Sequence, residues 1–168
     1  MGNVQDCAEP VVKHGLLKTH ITGGHIVVSP VANYSGDLAQ PMATVLVLHD
    51  DNECPQTYLE KAWNNKKDTW MPWTKTLCKV ILVQAPSRQG EGKYRWDAES
   101  ELMVSNLMSQ EVQLLAGQSH RLFVGGFGKG AHVALNVAMK SSIVLGGVFT
   151  RKALIPADLL SQLASSEA

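Results

Sequence analysis

Residues 121–131 read Arg-Leu-Phe-Val-Gly-Gly-Phe-Gly-Lys-Gly-Ala. An apolar run enters a glycine-crowded turn, and an alanine-rich stretch suited to a helix follows. Within it, Gly126-Phe127-Gly128-Lys129-Gly130 fits the frame G-x-S-x-G, in which a strand turns sharply into a helix and presents a nucleophile at the bend. Small residues at 126 and 130 allow strand and helix to approach closely, and glycine tolerates the positive φ that the centre of such a bend demands. The central position needs a hydroxyl or thiol and here is Gly128, which has no group to attack a carbonyl.

The glycines admit two other readings. One is a plain glycine-rich turn without catalytic ancestry. The other is nucleotide binding, since Gly126-x-Gly128-x-x-Ala131 matches a dinucleotide fingerprint ending in alanine. That fingerprint belongs on the first strand of its unit, with an acid about 20 residues on. Here several strands come first, and the next strand ends at Phe149-Thr150-Arg151 without an acid. The phosphate loop G-x-x-x-x-G-K-[ST] also fails, with Phe123 at its first glycine and Gly130 at its Ser/Thr.

Outward from the turn, strands and helices alternate. Leu16 to Thr22 and His25 to Ser29 flank Gly23-Gly24 and read as a hairpin. Thr44 to Leu48, Lys79 to Val83 and Leu122 to Val124 are continuous apolar runs, as expected of strands covered on both faces. Pro55 to Lys66 and Asp97 to Leu115 have apolar residues at helical spacing, and Ala131 to Met139 continues from the turn. Val31 to Pro41 and the stretch from Ala85 to Tyr94 read as loops. Ser142 to Phe149 reads as a fourth apolar strand and Pro156 to Leu163 as a short last helix. This order predicts an α/β fold: a mostly parallel sheet with helices on both faces, a three-layer sandwich with an antiparallel hairpin at one edge. Residues 1–12 read as a flexible tail and 13–168 as a single domain.

The chain of 168 residues carries 15 basic and 15 acidic residues, so nothing favours nucleic acid or an anionic membrane. No apolar run approaches a membrane span, and the start lacks an apolar signal core. Cys7, Cys54 and Cys78 are odd in number and lack metal-ligand spacing, which suits a reduced, cytoplasmic protein. Gly2 begins a partial acylation signal, but Asp6 stands where Ser or Thr is preferred. No cofactor is expected.

Five segments in order resemble the α/β-hydrolase superfamily, and more narrowly the acyl-protein thioesterase, phospholipase and carboxylesterase family. Val45-Leu46-Val47-Leu48-His49-Asp50 resembles the family's strand ending in Leu-His-Gly. Gln84 to Arg88 resembles its Ala-Pro-x-Arg segment, and Trp96-Asp97 its Trp-Phe-Asp loop. Gly125 to Ala131 resembles Gly-Gly-Phe-Ser-Gln-Gly-Gly, and Leu145 to Val148 resembles Leu-Ala-Gly-Val. The likeness spans roughly residues 40–156.

The resemblance implies a serine at 128, then an acid, then a histidine near the end. After Gly130 the only acids are Asp158 and Glu167, and the only histidine, His132, precedes both. Nucleophile, base and orienting acid are therefore absent from their expected places, and the resemblance implies that the strands that would carry the last two are missing. The backbone N–H groups of Lys129 and Asp51 would be the remnant of an oxyanion hole. The loop Asp50-Asp51-Asn52-Glu53 would repel a developing oxyanion; it could serve a divalent cation, though a solvated loop before the next helix is the simpler reading. The resemblance gives His49 a structural place in that loop and puts Trp96 at an acyl pocket. His132 lies near the elbow.

These observations lead to a truncated, catalytically inactive hydrolase-like domain that binds a protein partner or an acyl ligand. The competing classes are a working esterase or thioesterase and nucleotide binding at the glycine turn. The run Ser142 to Phe149, with neither charge nor proline, is expected at a sheet edge and available for self-association or a protein partner.

Overall fold

A computed structural model describes residues 17–30, 42–64 and 78–153. The hairpin is β1 (Leu17–Thr22) and β2 (His25–Pro30), turned at Gly23-Gly24. Then come β3 (Ala43–Leu48), α1 (Pro55–Asn64), β4 (Cys78–Val83), β5 (Ser87–Gly90), β6 (Lys93–Arg95), α2 (Ser100–Leu114), β7 (Leu122–Phe127), α3 (Gly128–Lys140) and β8 (Gly147–Arg151). The expected tail 1–12, the loop Val31 to Pro41 and the last helix Pro156 to Leu163 lie outside the described residues. Among the described residues, no helix is long and apolar enough to cross a membrane.

The main sheet has the order β1-β2-β4-β3-β7-β8. The hairpin joins antiparallel through β2 and β4, and the four strands β4, β3, β7 and β8 run parallel. The apolar strands read from sequence are those buried on both faces. On one face Val45, Val47, Val80 and Leu82 pack with Tyr58 and Leu59 of α1. On the other, Leu46, Leu48, Ile81 and Val83 pack with Val104 and Met108 of α2 and Val133, Ala134 and Val137 of α3. Alternate side chains of each strand thus feed two separate cores, which is why these runs show no polar alternation.

Three expectations shift. The stretch after Ala85 is not a bare loop: β5 and β6 pair antiparallel, with a bulge between Arg88 and Gly90. The helix expected from Asp97 begins at Ser100, because Asp97 Oδ1 accepts from the Glu99 N–H at 3.0 Å and the Ser100 hydroxyl at 3.1 Å. Such local bonds draw aspartate to the entrance of a helix rather than its interior. The strand expected over Ser142 to Phe149 is instead β8, Gly147–Arg151. Ile143 and Leu145 pack partly buried against the core under α2 and α3, and pairing starts only where the Gly146 N–H reaches Leu122 O at 2.8 Å. A β-carbon at Gly146 would overlap His120 O, so this entry needs glycine.

One polar contact ties helix to sheet at the end opposite the glycine turn. Lys79 Nζ donates to both oxygens of Glu111 at 2.8 Å, and the Thr44 hydroxyl reaches Glu111 Oε2 at 3.4 Å. The Glu111 side chain is 6% exposed and that of Lys79 25%. Removing one partner strands the other charge, and the cost scales with how buried that charge is. Lys79→Ala should therefore destabilise more than Glu111→Ala. We expect losses of roughly 3 and roughly 2 kcal/mol respectively, read from the urea midpoints of the two variants. Equal losses would mean that burial of the remaining charge does not set the cost.

Candidate functional site at the ends of β3 and β7

β3 pairs with β7 in the register Leu48 with Gly126. His49 and Asp50 therefore leave the sheet beside the turn where β7 becomes α3. This is the carboxyl end of the parallel strands, where open α/β sheets gather their ligand sites. The close approach has a steric basis. A β-carbon on Gly126 would overlap Leu48 O, and one on Gly130 would overlap His49 O.

Gly128 has φ of 52°, the left-handed conformation expected at the centre of the elbow. The space its side chain would take is filled: a β-carbon there would overlap the carboxylate of Asp50. Asp50 Oδ1 accepts from the Asp51 N–H at 2.8 Å and from the Lys129 N–H at 2.9 Å. These are the two donors that the sequence reading assigns to the oxyanion-hole remnant, and they converge on one oxygen. The N-cap of α3, Phe127, makes no side-chain capping bond, so Asp50 caps the helix from the neighbouring strand.

The backbone of Asp50 is held separately. Its N–H donates to the Tyr58 hydroxyl at 3.2 Å, and its carbonyl accepts from His49 Nδ1 at 2.6 Å and from the Glu53 N–H at 3.3 Å. That last bond closes a tight turn with Asn52 at φ of 62°, a conformation asparagine tolerates better than most residues. The turn is stapled to β6 by the Asn52 N–H to Tyr94 O at 2.8 Å and the Tyr94 N–H to Glu53 O at 3.1 Å. Tyr58 also bonds the Glu53 carboxylate. Burial first, and that bond second, raise its pKa well above the ordinary phenol value, so it keeps its proton.

His49 is a buried structural group. The Ala85 N–H donates to its Nε2 at 3.0 Å, which leaves the proton on Nδ1 for the Asp50 carbonyl. Burial lowers its pKa, opposed by the Asp50 carbonyl and the nearby acids, so it is neutral and has no free ring nitrogen for base chemistry. Trp96 is buried too. Its indole N–H donates to His49 O at 2.7 Å and its backbone N–H to Asp51 Oδ1 at 3.0 Å. His49 and Trp96, expected beside a pocket, are thus committed to the interior and to each other.

His132 lies one turn beyond Gly128 but belongs to a different network. Its Nε2 meets Asn136 Nδ2 at 3.3 Å, Asn136 donates to Glu101 at 2.9 Å, and Lys140 reaches the same carboxylate at 2.7 Å. The Lys140 bond leads in lowering the Glu101 pKa. This network joins α3 to α2. His25 accepts the Gln84 N–H at Nδ1 at 3.0 Å, and burial lowers its pKa. His120 sits in a short 3₁₀ turn, Ser119–Arg121, ahead of β7. Among the described residues no three of His, Cys, Asp and Glu group as metal ligands, and Cys54 and Cys78 are buried thiols outside any disulfide.

Sequence reading singles out Asp51 and Lys129 but not Asp50, Tyr58 or Tyr94. A signal for Asp50 exists: it stands where the resembling family has glycine, opposite the one position where that family has serine and this chain has glycine.

No protein-family model and no curated protein matches the sequence. Solved structures do. A protein of Bacillus cereus described as uncharacterized superposes with a TM-score of 0.59 at 20% identity, over 75% of this chain and 40% of that one. A ferulic acid esterase gives 0.55 at 17%, over 88% and 63%. The fluorophosphonate-binding serine hydrolase F of Staphylococcus aureus, solved with substrate bound, gives 0.54 at 16%, over 86% and 58%. The fold is that of the α/β-hydrolases. The chain spans 40% to 63% of the length of these three proteins.

The two lowered histidines set a pH dependence. In the folded state their pKa values lie below the ordinary value of about 6.5, so the unfolded chain binds more protons as pH falls through that value. Their contribution to stability is present above about pH 6.5 and is lost below it. The urea midpoint should therefore drop between about pH 7.5 and about pH 5.5. His25→Gln should flatten that drop, and an unchanged pH slope would place His25 in water.

Proposed function

We propose that the chain is an α/β-hydrolase-fold domain without hydrolase chemistry, which acts by binding a protein partner. The observation that carries this reading is the double occupation of the elbow. Position 128 offers no nucleophile, and the two N–H groups that would stabilise an oxyanion are bonded to the Asp50 carboxylate. An acyl oxyanion entering here would meet a carboxylate already in place. The inward engagement of His49 and Trp96 removes the wall that an acyl ligand would need and favours the partner form of the reading.

The competing reading, a serine esterase or thioesterase, draws on the likeness to solved serine hydrolases. A fluorophosphonate reagent separates the two. The protein should take no label and should turn over neither short esters nor thioesters above buffer. Gly128→Ser should not rescue either property. Its side chain must displace Asp50, and a serine hydroxyl without a base is a poor nucleophile near neutral pH. Labelling of Gly128→Ser at the rate of an ordinary serine hydrolase would reveal a working base and sink the inactive reading.

The partner half of the proposal rests on β8. Among the described residues this strand borders the sheet, paired on one side only with β7. Val148 within it is 41% exposed, and Val144 on the approach 73%. A strand paired on one side, with apolar Val148 and Phe149 ahead of Thr150 and Arg151, can template another chain through its apolar part. Size exclusion with light scattering should show self-association that Val148→Lys abolishes. A monomer at high concentration, identical in both forms, would remove self-association as the mode of binding.

A further inference from the structure

A second surface lies on the flank of α2, at the hairpin edge of the sheet and away from β8. A cleft of about 700 Å³ opens there between the hairpin turn and the helix. That volume falls in the range of ligand sites, about 300–1,000 Å³. Its helix side is formed by Leu102, Met103, Asn106, Leu107 and Gln110. The exposed residues of α2 are Leu102, Asn106, Ser109, Gln110, Gln113 and Leu114, with no charge among them. A helix face turned to water ordinarily carries charges, and both exposed residues of α3 are lysines, Lys129 and Lys140. Leu102 is 66% exposed beside the cleft.

The spacing along this face has a complement. Leu102, Asn106 and Gln110 follow one another at steps of about 6 Å along the helix axis. An extended chain advances about 6.6–6.8 Å for every two residues. Each side-chain amide both donates and accepts, as do the N–H and C=O that an extended chain turns to one edge at alternate residues. Asn106 and Gln110 can therefore engage two such residues in step, while Leu102, Met103 and Leu107 take apolar side chains. His25 lines the cleft as well. Its Nδ1 accepts the Gln84 N–H at 3.0 Å, so the neutral ring carries its proton on Nε2 as a further donor. Among the described lining residues only Glu99, at the entrance of α2, is charged. We propose that this cleft binds an extended apolar peptide segment of a partner protein, laid along α2 with a positive charge toward Glu99. The site uses neither the elbow nor β8.

The probe is a pentapeptide of alternating valine and threonine, amidated at its carboxyl end, with its free amino terminus as the only charge. β-branched residues favour the extended form. Titrated into the isotopically labelled protein, it should shift the side-chain amide resonances of Asn106 and Gln110 together and saturably. Asn106→Leu and Gln110→Leu, both at exposed positions, should each weaken binding roughly two- to tenfold. Acetylating the peptide's amino terminus should weaken binding about two- to fivefold in the wild type and leave it unchanged in Glu99→Gln. Three results overturn the proposal: no shift at Asn106 and Gln110 with millimolar peptide, tighter binding in the leucine variants, or an equal effect of acetylation in both proteins. Tighter binding in the leucine variants would mean that the cleft recognises apolar surface alone. Val148→Lys should leave the peptide affinity unchanged, so peptide binding and self-association through β8 fail separately.

Discussion

The carbonyl oxygens of Leu48 and His49 occupy the space where β-carbons on Gly126 and Gly130 would stand. This backbone-to-backbone contact brings the end of β3 against the first turn of α3, and the site's geometry depends on it. With any side chain at 126 or 130, strand and helix would separate. The Lys129 N–H would then no longer reach Asp50, and α3 would lose the cap that Asp50 supplies. The contact also sets which residues meet, because the register of Leu48 with Gly126 delivers His49 and Asp50, and not their neighbours, to the turn.

The same constraint explains how three carboxylates sit within four residues without driving the turn open. Each has its own donors. Asp50 takes the two backbone N–H groups, where the positive end of α3 adds a favourable field of about 0.3–1 kcal/mol. Asp51 turns to the Trp96 N–H, with Arg95 Nε at 3.6 Å adding little at that exposed distance. Glu53 engages the Tyr58 hydroxyl. Hydrogen bonds to a charged group contribute about 1.5–3 kcal/mol each, enough to outweigh repulsion among acids whose charges point apart. The repulsion expected from sequence is thus aimed at an incoming anion and not at the loop itself.

The sheet was legible because its evidence is redundant. Apolar runs at 44–48 and 79–83 can hardly be anything but strands buried on both faces, and the glycines at 126, 128 and 130 mark the turn by steric need. What escaped was local competition. The run 142–149 has the composition of a strand throughout, but Ile143 and Leu145 go under the helices and Gly146 starts the pairing. Nothing in the run's own residues marks that switch, which depends on the position of Phe123 and His120. The β5–β6 hairpin escaped because its strands are short and mostly polar, and its bulge breaks the alternation. At the site, His49 was legible as structural through resemblance. The bonds that fix its tautomer come from Ala85 and Asp50, 36 residues and one residue away, and only the fold brings the former near.

Positions 50 and 128 form one unit that sequence separates by almost half the chain. Glycine at both would leave a hole lined by two unpaired N–H groups, each costing about 1–3 kcal/mol if sealed from water. A side chain at both would overlap, since the β-carbon of one falls on the carboxylate of the other. Only one side chain can enter the shared volume, and the donors require that it bring an acceptor. A serine entering from 128 would place a hydroxyl at the mouth and leave the donors free for a substrate. An aspartate entering from 50 satisfies the donors itself. The second solution gives an internally bonded elbow in which the geometry of the turn is part of the packing. Glycine at 128 and aspartate at 50 are therefore two faces of a single steric choice, and a side chain added at 128 forces that of Asp50 to move.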